Sequence, residues 1–384
     1  MGSIADELAS VPFLRRAGAD ALRASAPLWD AVALSPGEVL WDAGSAVEEL
    51  GVVLLGELAA ELDGVVVGRV LPGELLGEAS AFFAGSTRSA TLRARGDAQV
   101  VTLPVGSLHT LRWQRSSVYD ALLEQALLSL VRRISATNTR LSQVATGGAA
   151  APARTEPSAL ARLWRALRPG GPSGPCPPIE PLLRRQPGLA DVDGETLAAL
   201  SAAFVAEPVQ EGQVVFLEGE AGAAAWLVAD GAIDVLRNVR GERAEMLAML
   251  GAGSLFGINT LVERGARTAS CVAARPGWLY RIDAEAHAGL RGANRIAWRE
   301  CLLGVLATQL RNANAGLQKA LGGPKSGPAR GSVAPTAPGS DAAFQDILRA
   351  SGWLEAVSER HLDSLQVVVT EDMKRNPRRG PLRK

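Results

Sequence analysis

The sequence predicts a mainly β, α+β fold: two tandem β-rolls of the jelly-roll kind, each flanked by N-terminal helices and a long C-terminal helix. Three observations predict it. Apolar runs of about four to eight residues, cut by glycines, fill residues 34–106 and again 209–283. Turn glycines recur at matching places in the two stretches: Gly37 with Gly212, Gly44 with Gly219, Gly56 with Gly231, Gly73 with Gly253, and Gly77 with Gly257. A long amphipathic segment follows each stretch, over 117–145 and 294–321.

In chain order, a leading helix is expected over Phe13–Arg23. Strands follow at Leu34–Trp41, Leu50–Glu57 and Val65–Leu71. In the segment 117–145, Leu127, Ile134 and Leu141 lie seven apart and interleave with Leu130, Thr137 and Val144. That is a narrow apolar seam at heptad spacing. Residues 146–179 are rich in Gly, Ala and Pro and read as a linker with a short helix near Ser158–Arg168. The second copy begins with a helix at Leu189–Leu200, then strands at Val209–Phe216, Trp226–Gly231 and Ala232–Leu236. Its closing segment carries the same seam: Leu303, Leu310 and Leu317, with Leu306, Ala313 and Ala320. Each seam packs on its own roll or, in the sharper reading, also pairs with another such helix. Residues 322–340 form a second linker. Residues 341–384 read as the truncated start of a third repeat, with a leading helix at Ile347–Leu365 and a basic tail. The domains expected are therefore 8–145 and 180–321.

Composition narrows the function. The 40 Lys+Arg equal the 40 Asp+Glu, so no net charge draws the chain to nucleic acid or an anionic membrane. Cys176, Cys271 and Cys301 are far apart, form no metal spacing and suit a reducing cytoplasm. The first residues lack the basic and apolar regions of a signal peptide, and no run has the length of a membrane helix. With three histidines and no nucleophile elbow, Walker A loop or HExxH, neither a metal site nor catalytic residues are expected.

The informative stretch is Leu76–Thr91: Gly-Glu, a short helix, then Arg-Ser-Ala. A helix starting after Gly77 offers free N–H groups and a positive dipole end to an anion. Arg88 can meet two anionic oxygens with a planar fork that Lys lacks. Here the sequence resembles the cyclic-nucleotide-binding domain family, at its phosphate-binding cassette. The spacing of ten from Glu78 to Arg88 is that of the bacterial catabolite-activator branch. The resemblance covers roughly 8–145 and 180–321. It implies a ligand, cAMP or cGMP, held by Gly77, Glu78, Arg88, Ser89 and Ala90, with Glu78 accepting from the ribose 2′-hydroxyl. Arg132–Leu141 is similar to the family helix that contacts adenine. This implies base contacts from Thr137 and Asn138; alternatively Thr137 bonds its own helix backbone.

The second cassette, Leu255–Ser270, keeps Gly257, Arg267, Thr268 and Ala269. Ile258 stands where the family has Glu, and the span to Arg267 is nine. Losing a hydrogen bond to a charged group removes about 1.5–3 kcal/mol, roughly 10- to 150-fold in affinity. The second site is therefore expected to bind nucleotide weakly or not at all, with another anion or a purely structural role as the alternatives. The expected function is a cyclic-nucleotide sensor, cAMP favoured, with no catalytic domain of its own. It would act through ligand-dependent helix movement and contact with a protein partner or a second copy through 117–145 and 294–321. The alternatives are a scaffold whose rolls have lost ligand binding and, least favoured, a DNA-binding regulator without a visible helix-turn-helix.

Overall fold

The structure, a computed structural model, describes residues 3–62, 64–82, 87–145, 172, 174–237 and 245–320. The expected helix at 158–168, the linker 322–340 and the third repeat at 341–384 lie outside the described residues. Both rolls fall in one compact unit, 1–239 with 245–323; the second unit, 240–244 with 324–384, lies outside the described residues.

The first roll is preceded by α1 (Ile4–Ser10), a 3-10 turn (Leu14–Ala17) and α2 (Ala19–Ser25), so the leading helix expected at 13–23 is broken at Gly18. Two antiparallel sheets follow. One has the order β1-β8-β3-β6, built from β1 (Asp30–Leu34), β3 (Glu49–Leu55), β6 (Leu75–Leu76) and β8 (Ala98–Pro104). The other has the order β2-β7-β4-β5, from β2 (Val39–Trp41), β4 (Leu58–Leu62), β5 (Val65–Val70) and β7 (Thr91–Ala94). Between β6 and β7 sits a one-turn helix, α3 (Glu78–Ala81). The inward faces meet in a core of Leu34, Trp41, Val53, Leu58, Val70, Leu76, Leu92 and Val100. Alternate residues of a strand point to opposite faces, so β7 buries Leu92 and Ala94 and leaves Thr91 and Arg93 outward. The helices α4 (Val105–Trp113) and α5 (Ser117–Ala145) close the roll.

The second roll repeats the plan. It opens with α6 (Glu180–Arg184) and α7 (Gly194–Ala202), continues through β9 (Val205–Val209), β10 (Val214–Phe216) and β11 (Ala221–Gly222), and ends with α9 (Ala284–Gly289) and α10 (Gly292–Ala320). The strands read separately at 226–231 and 232–236 are one long strand, β12 (Ala224–Arg237), paired with the equally long β16 (Ser270–Asp283). The chain bends without breaking because the register shifts between Val228 and Ile233 take up the turn at Gly231. The short strands β13 (Glu245–Leu250), β14 (Leu255–Phe256) and β15 (Gly265–Ala266) complete the roll, with α8 (Ile258–Val262) between the last two. All ten paired turn glycines have φ between 73° and 89°.

The heptad seams meet each other. Leu127, Leu130 and Ile134 of α5 and Leu303, Leu306 and Leu310 of α10 are buried in one helical core, which also takes in Leu8, Leu22, Leu183 and Leu200 of the leading helices. Leu141, Val144, Leu317 and Ala320 lie beyond the side chains described. Ion pairs rim the crossing: Arg112 grips Glu300 at 2.5 and 2.8 Å, and Arg299 reaches Asp120 at 2.6 Å. Each seam thus packs both on its own roll and on the other helix of the same chain, because tandem copies place two narrow stripes of the same spacing within reach.

Candidate ligand-binding site

The first cassette is built on Gly77. Its φ of 74° turns the chain from β6 into α3, a conformation that costs a side-chain-bearing residue about 1–2 kcal/mol. A Cβ on Gly77 would lie 2.4 Å from Arg88 Nη1, so the missing side chain is also what lets the guanidinium close over the backbone. Two backbone bonds fix the arginine from the other side: Gly44 N–H donates to the Arg88 carbonyl at 2.8 Å and Arg88 N–H to the Ser45 carbonyl at 2.9 Å.

The Arg88 side chain is only 5% exposed. Its guanidinium carbon lies 3.4 Å from the centroid of a Trp41 ring, and Nη2 donates to the Glu49 carbonyl at 2.7 Å. Nε and Nη1 are buried with no hydrogen-bond partner. Burial lowers the Arg88 pKa to about 10, against the opposing pull of Glu49 and Glu48. A cation held in this way has donors to spare and lacks a counter-charge in contact.

Glu78 opens α3 and is fully buried. Its Oε1 accepts from Ser129 Oγ and pairs with Arg133 Nη2, each at 2.9 Å, so two residues of α5 hold it. Its Oε2 is buried without a partner. Ser89 is exposed and Ala90 half-buried at the outer end of the cassette. Of the positions implied for the base, Thr137 is buried on the seam with Oγ1 3.4 Å from Asn314 Oδ1 of α10, and Asn138 is half-buried. Thr137 therefore finds its partner across the helix pair, not on its own helix backbone.

The second cassette has the same frame. Gly257 has φ 75°, and Gly219 N–H donates to the Arg267 carbonyl as Gly44 does to Arg88. Arg267 is equally buried, lies over Phe216 and Trp226 at 4.1 and 5.0 Å, and donates from Nη1 to the Gly257 carbonyl at 3.0 Å. Its Nε is unpartnered, and burial takes its pKa to about 10. Thr268 is exposed and Ala269 half-buried, as Ser89 and Ala90 are. The difference is Ile258, an apolar side chain 2% exposed at the place of Glu78.

Sequence reasoning missed Trp41, Ser129 and Arg133. The repeat carried a trace of the first: Trp41 follows Gly37 by four residues as Phe216 follows Gly212, and both lie under the cassette arginine. Ser129 and Arg133 are four apart and so share one face of α5. Among the described residues no group of three His, Cys, Asp or Glu could hold a metal ion, and no helix is long and apolar enough to cross a membrane.

Residues 31–113 and 206–294 match the cyclic nucleotide-binding domain family. The cyclic AMP receptor protein of Thermus thermophilus is 35% identical over 105 residues, 27% of this chain and 48% of that protein. A CRP-like cAMP-activated global transcriptional regulator of Mycobacterium tuberculosis is 28% identical over 138 residues, 35% of this chain and 60% of that protein. The chain thus spans only 48–60% of the length of these curated relatives. Among solved structures, the Thermus thermophilus catabolite activator protein aligns at 31% identity and TM-score 0.32, over 35% of this chain and 62% of that one. The regulatory domain of Toxoplasma gondii PKA with cAMP aligns at 17% identity and TM-score 0.26, over 82% and 95%. The family pattern lies over both rolls, and each matched stretch holds a cassette glycine and a cassette arginine.

Proposed function

We propose that the chain is a cyclic-nucleotide sensor, with cAMP as its ligand and no catalytic domain of its own. It acts through movement of α5 and contact with a protein partner in the cytoplasm. The observation that carries this reading is Arg88, a buried guanidinium with two unpartnered N–H-bearing nitrogens. A cyclic phosphate spreads one negative charge over two exocyclic oxygens and would supply both a counter-charge and acceptors. Around it, the backbone at Ser89 and Ala90 completes the cage, and Gly77 gives close approach. Glu78 Oε2 accepts the ribose 2′-hydroxyl, and Thr137 and Asn138 face the base once α5 has moved. The curated relatives, both named for cyclic AMP, support the choice of nucleotide.

The helix movement follows from burial. Glu78 is sealed under Ser129 and Arg133, so nucleotide reaches it only as α5 shifts. The ligand drives that shift by its differential affinity for the two helix positions. The working boundaries are 8–145 and 180–321, joined by the linker 146–179. The second roll binds weakly or serves as structure, because Ile258 cannot accept a sugar hydroxyl. A zero net charge supports a protein partner, or a second copy, over DNA. The seams of 117–145 and 294–321 already face each other, so such a partner meets their outer faces or the helices that α5 releases.

Calorimetric titration with cAMP and cGMP tests the reading. Saturable binding of cAMP, lost in Arg88→Ala, is the expected result. Absence of heat with either nucleotide would sink it and leave a scaffold. A gel shift on genomic fragments tests the DNA alternative.

A further inference from the structure

One helix of the first roll touches both cassettes. On α5, Ser129 and Arg133 hold Glu78 of the first. The neighbouring Arg132 pairs with Glu263, the residue that ends α8 of the second, at 2.9 Å. Consecutive helical residues point about 100° apart, so two adjacent arginines can grip two different bodies. Val131 and Ser135 of the same stretch form one wall of a groove of about 250 Å³. Thr260, Glu263, Ala266 and Thr268 of the second cassette form the other. Phe82, at the end of α3, packs edge-on against Tyr119 of α5 with centroids 6.0 Å apart, and Tyr119 donates to Glu300 of α10 at 2.5 Å.

Resting on the nucleotide reading of the first cassette, we infer that α5 is a strap shared by both cassettes, which the Arg132–Glu263 pair helps to hold closed over Glu78. With Glu78 fully buried and Arg88 5% exposed, a nucleotide has to lift the strap to reach them. Lifting breaks the Arg132–Glu263 pair and withdraws one wall of the second groove. Occupation of the first cassette therefore takes one wall from the second groove, and by linkage a ligand that needs both walls opposes nucleotide at the first. The pair's side chains are 62% and 35% exposed, which limits its effect to about two- to five-fold in affinity.

The test is cAMP titration of the full chain, the first-cassette isotherm being the one that Arg88→Ala abolishes. Arg132→Gln and Glu263→Gln are each expected to tighten that Kd by about two- to five-fold. The double variant should be no tighter than either single, and Arg132→Lys should stay near wild type. Unchanged or weaker binding in the singles, or effects that add in the double, overturns the strap while leaving the receptor reading intact. No cAMP binding by the wild-type chain overturns the receptor reading and the strap with it.

Discussion

At the residue scale, the first cassette is unfavourable for its own arginine. Arg88 has one hydrogen bond and a tryptophan face in exchange for its water, and its Nε and Nη1 go without. A buried donor left unpaired costs about 1–3 kcal/mol, while a cation–π contact returns about 0.5–2 kcal/mol. The balance leaves free energy for an incoming anion to recover. Gly77→Ala isolates the geometric requirement. The new Cβ meets Arg88 Nη1, so the guanidinium must move off Trp41, and φ 74° becomes strained. The expected outcome is a stability loss of about 1–2 kcal/mol by denaturant titration. Loss of measurable cAMP binding accompanies it, and retained affinity would show that the arginine tolerates displacement. Gly77, Glu78 and Arg88 were all legible in the sequence, because glycine spacing and a charged pair within one short stretch are local features. The hold of Ser129 and Arg133 on Glu78 was not, since it joins residues 51 and 55 positions apart.

At the element scale, α10 is anchored at its start by a half-buried histidine. Trp298 Nε1 donates to His287 Nδ1 at 3.1 Å, so the ring is held in a neutral form. Burial, with Arg299 nearby, pulls the His287 pKa down from 6.5 to about 4. The depressed pKa means that the unfolded chain takes up a proton more readily than the folded one. Stability is therefore full above pH 6.5 and falls as pH drops from 6.5 towards 4, by about 2–3 kcal/mol. Urea titrations across that window should show the fall in the wild type and a flatter profile in His287→Gln; equal slopes would remove His287 as the cause. The 3.6-residue periodicity made α5 and α10 readable over almost their full lengths, 117–145 and 292–320. The strands of the second roll were cut too short, because a glycine with φ 87° reads as a turn whether the strand ends or merely bends.

At the scale of the whole molecule, the two rolls share a core. Each has its own interior, around Trp41 in the first and Trp226 in the second. A third cluster runs from Leu8 through Leu130 to Leu310 and belongs to both. Leu306, fully buried there, contributes to holding the rolls together. Leu306→Ala should cost about 2–5 kcal/mol. In calorimetry it should lower one common unfolding transition, since damage at the shared cluster destabilises both rolls. Two separated transitions in the wild type, with only the later roll affected by the variant, would mean that the rolls fold independently.

The repeat, the mainly β rolls with their helices, and the positions of glycine, acid and arginine in the first cassette were all readable along the chain. These rest on short-range patterns that backbone sterics and side-chain periodicity impose. What each long helix faces was settled by three-dimensional packing. An apolar stripe buries equally well against its own roll, its twin or a partner, and burial has no direction that spacing could encode. Packing likewise decided that Arg132 and Arg133, neighbours in the chain, would take hold of acids in two different domains.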